Sequence, residues 1–390
     1  MASLRAVLVQ NRDFRRLVIA SVVSLAGDWF TFVAVASLVT ELTGHAGAPA
    51  YIYAATVLPV FLAAPLAGVI ADRFDRRRTL VIADLVRVPI ALAMCFAHSV
   101  PAAVALTALL AVGASFSDPT MTAATPNLVP KEHLATAQAL MGAIWGSMLL
   151  VGAGLGGVVA EVFGRNAAFV VDAVSFLASA ASIATIRAPM QVERSQDGSL
   201  REAFAFIRRS PRVLRLVFAK GGVSVANGIV GLIPVFAARR YTSHVATGLL
   251  LSARGLGAML GPIVVRYVVG ATPGRRAVVL VCGISCLTYA ASYGGFVAAS
   301  SFVVALIFVM AAHLGGGAQW ALSTYGLQVE TPDAVRGRVM AIDYGLATLA
   351  IGASGIAAGV LADHIGIVAT TEWLCVIGAV YGIAWTLWSV

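Results

Sequence analysis

Twelve apolar runs follow one another along this chain, each near the length a helix needs to cross a bilayer and each separated from the next by a short polar break. A hydrocarbon layer about 30 Å thick is spanned by about 20 residues of α-helix. The runs lie at approximately 17–40, 50–71, 79–97, 102–123, 135–160, 167–187, 213–237, 246–266, 277–296, 301–327, 339–362 and 368–389. Helix stop and start signals punctuate them, from Gly44 to Pro49 and at Pro101, Pro130, Pro273-Gly274 and Pro332-Asp333. The runs are continuously apolar, which excludes the two-residue alternation of a membrane β-barrel. The fold class expected is an all-α polytopic membrane protein.

Composition supports this and excludes other classes. With 59% hydrophobic and 12% charged residues, the chain has too little charge to cover a water-soluble surface, which rules out a soluble enzyme and a disordered chain. Its 27 Lys and Arg are scattered between apolar runs, so no nucleic-acid partner is expected. Of these, 21 fall in the N-terminal segment and in or at the margins of the even-numbered connections, against Arg165, Arg239 and Arg240 in the odd-numbered ones. That asymmetry predicts both termini in the cytoplasm, with contact to membrane lipids as a secondary effect of the positive charge. The N-terminus lacks a cleavable leader pattern, so the first span is expected in the mature protein. Cys95, Cys282, Cys286 and Cys375 all lie in apolar runs and read as packing residues, so no metal and no cofactor is expected. No G-x-x-x-x-G-K-[ST], H-E-x-x-H or G-x-S-x-G occurs, which leaves an ion gradient as the energy source and gives a membrane enzyme little support.

The longest break divides the chain into residues 1–187, a linker at 188–212 and residues 213–390. The linker carries QVERSQDGS and then SLREAFAFIRRSPRVLRLV, where Leu200, Ala203, Phe204 and Ile207 recur at helical spacing, as in an interfacial helix. A shift of 202 residues lays ATPNLVPKEHLATAQAL on GLQVETPDAVRGRVMAI and pairs Pro130 with Pro332, Gly157 with Gly359, Glu161 with Asp363 and Gly164 with Gly366. A weaker match sets Gly68 over Gly261. Parallel repeats of this kind place a small-molecule cavity between the halves near mid-membrane.

The segment Gly68-Val-Ile-Ala-Asp72-Arg73-Phe-Asp75-Arg76-Arg77-Arg78 resembles the loop signature of the major facilitator superfamily, G-x-x-x-D-[RK]-x-G-[RK]-[RK], with Asp75 where the family has glycine. NRDFRRL, GDWF, ADLVR, NLVPKEHLATA, VDAVSFLAS and QVETPDAVRGRV resemble the bacterial exporter branch that includes macrolide-efflux and enterobactin-export proteins. The resemblance implies two six-helix bundles forming a monomer in the bacterial cytoplasmic membrane. It implies proton-coupled export of a small amphipathic compound, such as a drug, siderophore or secondary metabolite, by alternating access. Lysophospholipid flipping and nutrient import remain alternatives within the same fold. In the family, the acid at the Asp72 position meets the start of span 11, so Gly68, Asp72, Arg73, Arg76, Arg77 and Asp343 are the expected cytoplasmic gate. Spans 1, 4, 7 and 10 line the family's cavity, placing Asp28, Asp118, Asn227 and His313 around it. Trp29, Gln319 and Trp320 join them as candidate substrate contacts.

Ionisable groups at membrane depth are functional candidates by default. Asp28, midway along span 1 on a side chain too short to reach either surface, is the expected proton-coupling residue, with His313 as a second. A permanently hydrogen-bonded carboxyl is the alternative for Asp28. Asp84 and Arg87, three apart, are expected to form a structural ion pair near the cytoplasmic edge. Asp343 reads as a switch or as a partner for Arg336 or Arg338, and Lys220 as a side chain that snorkels to the cytoplasm. The glycines of span 5, Gly142, Gly146, Gly152, Gly154, Gly156 and Gly157, resemble the glycine-rich signature of drug antiporters without its proline. Close helix packing accounts for them equally well.

Overall fold

The computed structural model describes residues 4–43, 49–193, 199–241 and 244–390; part of the Gly44-to-Pro49 break and of QVERSQDGS lies outside the described residues. Twelve helices among the described residues are long and apolar enough to cross a membrane. Spans 1 to 6 are Arg12–Thr43, Pro49–Arg73, Arg76–Ala93 with a 3₁₀ turn at Met94–Phe96, Val100–Leu128, Lys131–Phe163 and Arg165–Ala184. Span 7 runs in three pieces, Pro211–Val217, Gly221–Ala226 and Ile229–Tyr241. Spans 8 to 12 are His244–Val269, Arg275–Ala298, Phe302–Glu330, Asp333–Ile365 and Ile367–Ser389. Most begin before or end beyond their apolar runs, because backbone hydrogen bonding continues into charged first turns such as Lys131-Glu132.

The internal repeat is visible in backbone geometry. Spans 5 and 11 are each 33 residues long, start after Pro130 and Pro332, and stop at Gly164 and Gly366 with φ of 82° and 85°, a conformation open to glycine. Spans 4 and 10 are each 29 residues long, with Ser99 and Ser301 capping the amides of Ala102 and Val304. The expected interfacial helix forms at Leu200–Arg209, but Phe204 is exposed while Ala203 and Ile207 are buried. The helix therefore packs on the protein through Ala203 and Ile207. Asp75, in the glycine position of the signature, is extended at φ −62°, ψ 118° and caps span 3 by accepting from the Arg78 amide at 3.0 Å. No left-handed turn is needed there.

The two six-helix bundles meet along two seams of small residues. On one, Gly68, Ala64 and Val57 of span 2 lie against Arg338, Gly345 and Gly352 of span 11. On the other, Gly142, Gly146 and Leu150 of span 5 meet Pro262, Met259 and Gly255 of span 8. On the side carrying both termini, one apolar core runs through both halves, including Phe14, Leu17, Leu80, Leu134, Leu216, Leu322 and Val339. On the opposite side each half has its own core, around Phe169 and Phe176 in the first and Phe236 and Phe296 in the second. The halves are thus joined on the terminal side and separately packed on the other.

This packing predicts unequal effects within the span 5 glycines. A Cβ at Gly146 would meet the backbone of Ala258 and Met259, whereas none at Gly154 would find an atom within 4 Å. Gly146→Val should cost about 1–3 kcal/mol through overpacking and lower the melting temperature in detergent, with Gly154→Val melting as wild type.

Candidate functional site

Two charged constellations stand out, one at the terminal side and one at membrane depth. The first is built by the signature between spans 2 and 3. Asp72, fully buried, accepts from the backbone N–H of Gly337 at 2.6 Å and of Arg338 at 3.0 Å, and from Arg338 Nε at 2.9 Å. A Cβ at Gly337 would lie 2.5 Å from its carboxylate, so glycine is what allows this approach. Arg76, also fully buried, donates to Asp333 at 2.5 Å, to Asp72 at 3.3 Å and to the carbonyls of Ala123 and Met190 at 3.0 and 3.2 Å. Arg336 and Asn127 also donate to Asp333, at 2.9 and 3.0 Å. Charge-assisted bonds of this kind are the strong ones, and burial makes each partner necessary to the others.

The linker is part of this seal. Asp333 accepts from the amides of Val192 and Glu193 at 2.6 and 3.0 Å, and Gln191 donates to the Asp72 carbonyl at 2.7 Å. Arg338 reaches the Ser199 carbonyl at 2.6 Å and Glu202 at 2.8 Å. The set balances as Asp72, Asp333 and Glu202 against Arg76, Arg336 and Arg338.

Other expected gate residues lie elsewhere. Arg73 is exposed beside Phe74, and Arg77 bonds the Ile186 carbonyl at 2.7 Å. Asp343 does not join the seal and pairs with neither Arg336 nor Arg338. It accepts from Lys220 at 2.5 Å inside the second half, and Lys220, 2% exposed, does not snorkel. Lys220 sits at the first break of span 7, with its ammonium 5.0 Å from the Trp320 ring.

The second constellation lies in the first half. Arg87, from the middle of span 3, hydrogen-bonds Asp28 of span 1 and lies 3.9 Å from Asp84. The closer bond therefore goes to span 1, and the Asp84–Arg87 pair lies at mid-depth rather than near the edge. Phe176 covers the guanidinium at 3.9 Å, and Gly113 leaves space for its stem. Asp172 of span 6 accepts from Thr31 at 2.6 Å, in room left by Gly27. Asp118 of span 4 hydrogen-bonds Tyr344 of span 11, linking the halves across their junction. Asp28, Asp172, Asp84 and Asp118 all act electrostatically on this one Arg87, Asp28 most strongly. Asp28 is thus not alone, yet its side chain keeps 35% of its surface open while that of Arg87 keeps 4%.

The remaining candidates are dispersed. His313 is buried and bonds Tyr293 at 2.9 Å, and Asn227 reaches the Tyr289 hydroxyl at 3.3 Å, both within the second half. Gln319 ties spans 7, 9 and 10 together by donating to the Ala219 carbonyl at 2.7 Å and the Cys282 carbonyl at 3.3 Å. Trp320 stands edge-on to Tyr344, with centroids 6.5 Å apart, and Trp29 packs on Phe32 and Gly152.

The family model for transmembrane secretion effectors matches residues 5–388. The chain belongs to that family, within the major facilitator superfamily. Among curated relatives, the multidrug efflux pump Tap of Mycolicibacterium fortuitum is 26% identical over 381 residues, covering 91% of this chain and 90% of Tap. The uncharacterized MFS-type transporter YkuC of Bacillus subtilis is 24% identical, covering 66% of this chain and 65% of its own. Macrolide efflux protein A of Streptococcus pyogenes is 24% identical, covering 50% and 51%. The chain therefore spans less than two thirds of YkuC and about half of the macrolide protein. The human organic anion transporter MFSD10 superposes with a TM-score of 0.80 at 15% identity, covering 95% of this chain and 99% of that one. An outward-facing bacterial homologue of the iron transporter ferroportin superposes at 0.77 and 15%, covering 96% and 98%. Family and fold are those of transporters.

Two outcomes follow for this transporter. Asp72→Asn leaves Arg76 and Arg338 short of a buried charge, a loss of about 3–5 kcal/mol. An Ala341→Cys thiol, buried beside Gly68, should then react faster with a membrane-impermeant maleimide applied on the terminal side. Lys220→Met should destabilise by a similar amount, and Lys220→Met combined with Asp343→Leu should recover most of the lost melting temperature.

Proposed function

We propose that this protein is a proton-driven exporter of small amphipathic compounds in a bacterial cytoplasmic membrane, with both termini in the cytoplasm. The single observation that carries this reading is the Asp28–Arg87 contact midway along spans 1 and 3, where Asp84 also lies beside the guanidinium and Asp28 keeps the open surface. A site with more acids than cations, away from bulk water, favours holding a proton, and a carboxyl whose exposure alternates can collect it on one side and release it on the other. On this reading the charged seal is the cytoplasmic gate and the present conformation faces outward. A proton entering from outside neutralises Asp28, weakens its hold on Arg87 and leaves that guanidinium to Asp84 and Asp172. Opening of the seal then exposes Asp28 to the cytoplasm, where the proton leaves. His313, held by Tyr293, has a packing role in this scheme.

Efflux relatives support the direction of transport, and the neighbouring Asp118, Tyr344 and Trp320 suit a ligand with apolar and polar parts. The test is transport in proteoliposomes with an imposed pH gradient, using a panel that includes a macrolide and an amphipathic cation. Wild type should concentrate one of these against its gradient. Asp28→Asn should keep counterflow exchange and lose gradient-driven accumulation; accumulation persisting in that variant would move the proton to another group.

A further inference from the structure

Away from both constellations, at the terminal-side ends of spans 7, 9, 10 and 12, an open cleft of about 90 Å³ is lined by Arg212, Arg215, Arg275, Glu330, Trp385 and Ser389 among others. Three guanidinium groups face one carboxylate here. Glu330 is only loosely engaged, 3.7 Å from Arg212. Arg275 spends one N–H on the Ser389 carbonyl at 3.2 Å. Two buried polar atoms bordering the cleft have no hydrogen-bond partner: Arg215 Nε, and the hydroxyl of Ser389, a residue 1% exposed. Buried polar groups are almost always satisfied, so this pair marks donors beside the cleft that the protein itself leaves unused.

We propose that this cleft binds the phosphate of an anionic phospholipid headgroup. The net charge of the lining favours an anion, and a guanidinium fork matches phosphate oxygens better than any other common side chain. Arg215 is held in place from both ends. Its carbonyl accepts from Trp385 Nε1 at 2.7 Å, and its guanidinium lies 5.8 Å from the Trp388 ring. The phosphate source is assigned by surroundings: Trp388 pairs with Phe218 at 6.4 Å, both exposed, and Val329 beside the cleft is 56% exposed. Aromatic and aliphatic groups open to the bilayer at the level of an arginine cluster suit a lipid, whose chains continue along them, better than a soluble phosphate.

Delipidated full-length protein in neutral detergent, titrated with single lipids and read by native mass spectrometry, tests this. Wild type should bind one phosphatidylglycerol in preference to phosphatidylethanolamine. Arg215→Gln and Arg275→Gln should each weaken that binding about tenfold, as expected for loss of a charge-assisted hydrogen bond. Ser389→Ala, which removes one oxygen and retains the fold, should weaken it about threefold, the equivalent of a neutral hydrogen bond. Melting temperatures without lipid should match wild type in all three. Unchanged phosphatidylglycerol affinity in the Arg215 and Ser389 variants, or equal affinity for phosphatidylethanolamine, would overturn the assignment. Displacement of the lipid by inorganic phosphate at similar concentration would overturn the lipid source and leave a soluble phosphate in its place.

Discussion

Two buried carboxylates, Asp72 and Asp333, and the guanidinium groups of Arg76, Arg336 and Arg338, with Glu202 at their edge, hold the halves of this protein together. Removing such charges from solvent is costly, and the cost is met only while every partner is present. Asp72 is bonded by two amides and two arginines, and Arg76 uses its donors on two acids and four carbonyls. A set this interdependent favours two states, assembled or rehydrated, over a continuum between them. The apolar core is continuous on this same side and divided on the other.

The halves share a backbone plan but divide the chemistry. Spans 4 and 10 and spans 5 and 11 match in length and in their caps, yet the acids at membrane depth crowd the first half. In the second half, Lys220 pairs with Asp343, and His313, Tyr293, Tyr289 and Asn227 are linked by hydrogen bonds and ring contacts.

Much of this was legible in the sequence, for physical reasons that differ by residue. Twelve spans and the 202-residue repeat follow from hydrophobic run length and from proline and glycine punctuation, which act locally. Asp28 stood out because a carboxyl in an apolar run needs an explanation. Its partner did not, because Arg87 also lies three residues from Asp84, and local spacing offers no way to see a helix neighbour 59 positions away. The same blindness assigned Lys220 to the surface and Asp343 to the arginines of its own helix. Arg76 was recognised among four neighbouring cations, but which of the four turns inward depends on the Asp75 cap that starts span 3. Asp333, Arg336, Arg338 and Asn127 carried only a weak signal, as polar residues at the ends of spans 4 and 11, where solvated charge is ordinary.

The linker's place in the seal gives it a second duty. Because Gln191, Val192, Glu193 and Ser199 lend backbone or side-chain groups to the buried acids and Arg338, the stretch joining the bundles is fastened to both of them. A protease nick, an inserted tag or a binding protein at mid-chain would therefore disturb the buried charged set itself, and not merely the tether between the halves.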